Sequence, residues 1–140
     1  MTTALTTALL EAPTTVHTTL DGVAMLTSVD VRTGRCAVRR AGGGWAEAIP
    51  AGSILVADRI DASMLDLAFD AAAIIVEAAP EHSGLGGGHL DAVLYSLDIP
   101  IVCGVANASD HLYDDALVSV ATRGRTGHVE VQAQPKPVEA

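Results

Sequence analysis

The chain has 140 residues, enough for one domain with a real core and too few for two. Its 17 acidic and 8 basic residues leave a net charge of −9, which excludes a non-specific nucleic-acid binder, because that role needs a positive surface to displace phosphate counterions. Apolar residues make up 49 % of the chain but aromatics only 3 %, so the core is expected to be built from Ala, Val, Leu and Ile.

Residues 1 to 19 are rich in Thr and Ala and read as a flexible N-terminal segment; residues 133–140, polar and broken by prolines, read as a flexible tail. The domain proper is expected over residues 20–132. Val23–Thr27 and Cys36–Arg39 read as short strands around a turn at Thr33-Gly34, followed by a loop at Gly42-Gly43-Gly44. The apolar run Ile54-Leu55-Val56-Ala57 after Gly52 is short and branched enough for a buried strand. Ser63 and Asp66 have the form of a capping box, and Met64, Leu65, Ala68, Ala71 and Ala72 then recur at helical spacing, predicting a helix over 63–73. Ile74-Ile75-Val76 is a second buried strand, and a polar, glycine-loaded loop runs from Pro80 to Gly88.

A helix is predicted from His89, with Leu90, Val93, Leu94 and Leu97 forming one apolar stripe and Asp98-Ile99-Pro100 ending it. Ile101 to Val105 gives a third buried strand, and Leu117–Val120 with Val129–Gln132 reads as a closing hairpin across Gly124 and Gly127. The strand–helix–strand order from 53 to 105 predicts an α/β domain with a mainly parallel sheet and right-handed crossovers. The β-rich ends would add a second layer.

The first ten residues carry no Lys or Arg and lack a secretory signal's apolar core, and no span reaches the roughly 18 apolar residues needed to cross a bilayer. A cytoplasmic protein with neither membrane nor nucleic-acid partners is expected. Cys36 and Cys103 lie far apart in strand-like contexts and read as buried thiols. Glu81, His82, His89, Asp91, Asp110 and His111 include no pair at metal-fixing spacing, so no metal or other cofactor is expected.

Chemistry points to Gly86-Gly87-Gly88-His89. A glycine-rich turn between strand and helix lets a ligand approach the backbone, and the unpaired N–H groups of the helix start would face an anion there. The positive end of the helix dipole disfavours the imidazolium, leaving a neutral, nucleophilic His89. His82 is an auxiliary acid–base candidate. Asp91 places a carboxylate close by.

The stretch from Gly86 to Val105, GGGHLDAVLYSLDIPIVCGV, resembles the active segment of the swivelling phosphohistidine (mobile) domain of phosphoenolpyruvate-utilising enzymes, typically Gly-Gly-x-Thr-Ser-His-Ala-Ala-Ile-Val-Ala-Arg-Glu-Leu-Gly-Ile-Pro. The offset from His89 to Ile99-Pro100 matches without a gap, and His89 falls on the residue that carries the phosphoryl group in that family. Ala51–Ala57, Ala73–Val76, Asp114–Val120 and Gly127–Val129 resemble the family's flanking strands in the right order, so the resemblance covers roughly residues 50 to 132. It implies a three-layer β/β/α fold and, for a stand-alone chain, transfer of a phosphoryl group on His89 in trans, with a donor or acceptor protein as partner.

Three differences motivate other readings. Gly87 and Gly88 replace the family's Thr-Ser, Tyr95 replaces its Arg, and the loop before His89 is longer. A cyclase or isomerase of small-molecule biosynthesis that reuses the fold without phosphoryl transfer is one alternative, with a small-molecule substrate in place of the protein partner. A non-catalytic interaction module is another.

Overall fold

The computed structural model describes residues 15–26, 31–39, 48–60, 64–82, 93–94, 96–106 and 108–133. Seven strands form a closed, mixed barrel: β1 (Thr15–Leu26), β2 (Arg32–Arg39), β3 (Ser53–Ala57), β4 (Ala71–Val76), β5 (Ile101–Cys103), β6 (Leu117–Arg123) and β7 (Thr126–Ala133). Their order around the barrel is β1-β5-β4-β3-β2-β6-β7. The described helices are α1 (Leu65–Asp70), α2 (Ala108–His111) and a 3-10 turn at Pro80–His82. Among the described residues no helix is long and apolar enough to cross a membrane.

The parallel strands include the three expected, β3, β4 and β5, but also β2, and four of the barrel's seven pairings are antiparallel, so the sheet is mixed and not mainly parallel. β2, β3, β4 and β5 run parallel, with Cys36 opposite Ile54, Leu55 opposite Ile74, and Ile75 opposite Val102. Every residue of β3 is buried because each of its faces meets a separate core. Ile54 and Val56 point into the barrel with Ala73, Ile75, Val102, Val118, Val120, Val129 and Val131. Leu55 and Ala57 point outward with Ile74, Val76, Ile101 and Cys103, under Met64, Leu67 and Leu94. Both cores are aliphatic and small, as the composition requires. α2 and the residues beside it close the inner core, through Val105, Ala108 and Leu112.

The three-layer β/β/α expectation is overturned by the ends of the chain. Instead of stacking as a separate layer, β1 pairs antiparallel with β5 and β7, and β6 pairs antiparallel with β2 and β7. The physical reason is edge satisfaction. Hydrogen-bonding the terminal strands onto both free edges of the parallel sheet leaves no open edge, which closure alone achieves.

Several local expectations change with it. β1 starts at Thr15, inside the segment read as flexible, and residues 1–14 and 134–140 lie outside the described residues. β1 and β2 are not neighbours, and Thr33-Gly34 lies within β2, where Thr33 pairs with Ser119 and Gly34 with Val118. Gly34 answers to close approach and not to turning: a Cβ there would sit 2.5 Å from the Gly52 carbonyl oxygen. The helix over 63–73 shortens to α1, whose N-cap is Met64 without a side-chain hydrogen bond; Ser63 of the expected capping box lies outside the described residues. At Ala71 the backbone turns extended, and Ala71 pairs with Ser53 as the first residue of β4. Gly127 lies within β7, and the β6–β7 turn is at Gly124-Arg125.

Candidate functional site

The segment expected to carry the chemistry joins β4 to β5. Gly86, Gly87, Gly88, His89 and Asp91 lie outside the described residues; of the expected site residues only His82 has a described backbone, closing the 3-10 turn after Pro80. What the structure supplies is the base of that segment on each side.

On the entry side, the strand ladder continues past β4. Glu77 N–H donates to the Ala57 carbonyl at 2.8 Å and Ala78 N–H to the Asp58 carbonyl at 3.0 Å. Gly104 N–H donates to Ala78 O at 2.8 Å and Val105 N–H to Val76 O at 3.2 Å. Residues 76–78 are thus clamped between the chains leaving β3 and β5, at the carboxyl ends of the parallel strands. That edge is where ligands bind in open parallel sheets. Its side chains are Asp58 and Glu77, both half-buried, with Arg59 and Glu81 exposed.

On the exit side, Val93 and Leu94 are helical. Ser96 N–H donates to Val93 O at 3.2 Å, Leu97 N–H to Leu94 O at 3.1 Å, and the Ser96 hydroxyl to Val93 O at 2.6 Å. Asp98 then takes φ 57°, a left-handed conformation, and Ile74 N–H donates to Pro100 O at 3.0 Å as the chain enters β5. Leu94 is fully buried in the outer core, which pins this flank against β4 and β5. Of the predicted stripe, Leu94 lies in the outer core, Leu97 packs against it from the turn that follows, and Leu90 lies outside the described residues; the helix has ended before Asp98-Ile99-Pro100.

Elsewhere, a cleft of about 370 Å³ is lined by Arg35, Cys36, Arg39, Ser53, Asp114 and Asp115, among others. It contains no activated nucleophile: burial, with the Asp114 charge second, pushes the Cys36 thiol up to about 12. Its charged groups hold the fold. Asp114 Oδ1 accepts from Val38 N–H at 2.8 Å and lies 3.7 Å from Arg39, while Arg35 donates to Asp115 O at 3.1 Å. Cys103 is buried as well, and both described cysteines are free thiols. Among the described residues no group of three or more His, Cys, Asp or Glu is placed to hold a metal ion.

Residues 49–127 match the sequence family described as the PEP-utilising enzyme mobile domain. The chain belongs to that family. The matched region takes in β3 to β6, the clamped segment after β4, and the glycine–histidine turn. No curated protein matches the chain. Among solved structures, this PEP-utilising mobile domain is similar to the muramoyltetrapeptide carboxypeptidase from Oxalobacter formigenes, with 14 % identity and a TM-score of 0.52. The alignment covers 96 % of this chain and 55 % of that one, so the chain spans about half the length of its structural neighbour. At that identity the likeness concerns the fold.

Sequence reasoning missed two polar arrangements on the antiparallel strands. His128 Nδ1 pairs with Asp21 Oδ1 at 2.8 Å, and Gln132, Ser119 and Thr33 form a hydrogen-bonded chain. Alternation of polar with apolar residues in 117–121 and 127–132 marks one solvent-facing side, but which polar groups meet depends on pairings across the barrel.

Proposed function

We propose that this mobile domain accepts a phosphoryl group on His89 and passes it on in trans between partner proteins. The observation that carries this reading is the family match over residues 49–127, which contains the whole Gly86–His89 turn together with its offset to Ile99-Pro100. The clamped entry at 76–78 and the buried Leu94 on the exit side support it, since they give the intervening segment a rigid base from which to present a side chain.

In the proposed step a ring nitrogen of His89 attacks the phosphorus of the donor's phosphate. A P–N bond forms as the P–O bond to the leaving group breaks; the leaving group keeps that electron pair, and the ring releases its N–H proton to solvent. The second transfer reverses these events on an acceptor oxygen. With hydroxyls absent at Gly87 and Gly88, backbone N–H groups are the donors left to hold the phosphoryl oxygens.

The test is direct. After incubation with a verified phosphoryl-donor system, the chain should gain the mass of one phosphoryl group, labile in acid and stable in base, and His89→Ala should lose it. Absence of the adduct overturns the carrier and leaves a cyclase, an isomerase or an interaction module to account for the fold without phosphoryl transfer.

A further inference from the structure

The outer face of β1, β7, β6 and β2 carries a second groove, about 500 Å³ in volume, on strands other than β3, β4 and β5, which carry the clamped edge. α1 and α2 pack against β3 and β4, and none of the residues lining the groove belongs to either described core. Strand register lays a row of polar side chains across it: Thr19 opposite Glu130, Glu130 opposite Ser119, and Ser119 opposite Thr33.

The row is already ordered. Gln132 Nε2 donates to Ser119 Oγ at 2.7 Å, and Ser119 Oγ shares a hydrogen bond with Thr33 Oγ1 at 2.9 Å. Ser119 is only 8 % exposed although it faces outward. With its amide N–H committed to Ser119, Gln132 offers its carbonyl oxygen. His128 Nδ1 lies 2.8 Å from Asp21 Oδ1, and in the tautomer that donates to this carboxylate Nε2 is an acceptor. At the centre the Glu130 side chain makes no hydrogen bond or ion pair among the described residues, while its backbone lies in the β7 ladder. No Lys or Arg lines the groove, and Val31 and Ala121 add an apolar wall.

A carboxylate, an amide oxygen and an imidazole nitrogen, held in place beside a short apolar wall, call for a ligand that brings N–H donors, positive charge and methylene groups. We propose that this groove binds a small aliphatic amine, its ammonium group at Glu130 with Gln132 and His128, and its methylene chain against Val31 and Ala121. The site is independent of His89 and stands whether or not the phosphoryl carrier does.

Cadaverine is a suitable probe, titrated into the full chain at low salt and followed by amide proton–nitrogen spectra. Saturable binding is expected, with shifts confined to β1, β2, β6 and β7 and including the Gln132 side-chain amide. Glu130→Gln, an exposed substitution that keeps the shape, should weaken it roughly tenfold. n-Pentanol, of the same length without charge, should not bind. The proposal is overturned by lack of saturation, by shifts spread over the whole acidic surface, by unchanged affinity in Glu130→Gln, or by equal binding of the alcohol.

Discussion

Inside the barrel, where β5 faces the β1–β7 pair, two glycines make room for one valine. Gly22 and Gly127 lie opposite each other, and Val102 is fully buried between them. A Cβ at Gly127 would meet the Val102 side chain, with Cγ1 at 2.5 Å; one at Gly22 would meet the same Cγ1 at 2.8 Å and the Cys103 carbonyl at 2.5 Å. Gly127→Ala gains about 0.5–1 kcal/mol from lost backbone entropy in the unfolded chain but inserts a methyl group into a filled space at about 1–3 kcal/mol. Overpacking should win, because Val102 is held by pairing to Ile75 on one side and sits against Gly22 on the other. A net destabilisation of about 1–2 kcal/mol is expected. Val102→Ala alone removes two buried methyl groups and leaves a cavity, costing roughly 2–3 kcal/mol. In that background the new methyl occupies vacated space, so Gly127→Ala should become neutral or slightly stabilising. Urea unfolding of the four proteins gives a coupling energy expected near 2 kcal/mol. Additive single effects, or a Gly127→Ala variant as stable as the parent, would refute this account of how the barrel closes.

Three further predictions concern the β2 cleft, two of them read by urea unfolding and one by alkylation. With Cys36 pushed up to about 12 in the folded chain, the unfolded thiol ionises first as pH rises above its ordinary value, so folding stability should fall between roughly pH 9 and pH 12. The slope attributable to Cys36 is at most about 1.4 kcal/mol per pH unit, and Cys36→Ala should remove that share of the pH dependence. The native thiol should also resist alkylation until the chain unfolds. Asp114→Ala deprives Val38 N–H of its 2.8 Å acceptor and should cost about 1 kcal/mol, whereas Asp114→Asn, which keeps an oxygen there and loses only the exposed 3.7 Å pairing with Arg39, should cost less than half of that.

The parallel strands were legible because burial on both faces leaves a distinctive trace. Ile54 to Ala57, Ile74 to Val76 and Ile101 to Cys103 are unbroken apolar runs, and each run serves both the inner and the outer core. The closing strands carry only half-buried alternation, which announces a strand without naming its neighbour. β1 pairs with residues more than a hundred positions away, and nothing local in Thr15–Leu26 specifies that. Gly34 misled for a related reason: glycine in sequence suggests a turn, but this one is required by the Gly52 carbonyl on a neighbouring segment. Ala71 fits helix by propensity and strand by its pairing with Ser53, and the β3 ladder decided between them, with Ala72 at the register shift beside it.

For the candidate site, the order and spacing of motifs around His89 were enough to identify the family, while the polar chemistry of the antiparallel face was hidden, since Asp21 and His128 stand 107 positions apart. The charge balance links the site to its surroundings. A phosphoryl group on His89 would add negative charge to a chain that already carries −9. At the base of its segment the described residues set one exposed cation, Arg59, against Asp58, Glu77 and Glu81, and Tyr95 stands where the family has Arg. Like charges repel, the more so where water is excluded. Under the proposed reading the compensating positive charge therefore falls to the donor and acceptor proteins, so that the phosphohistidine is best stabilised while docked and is poised to transfer when that contact is exchanged.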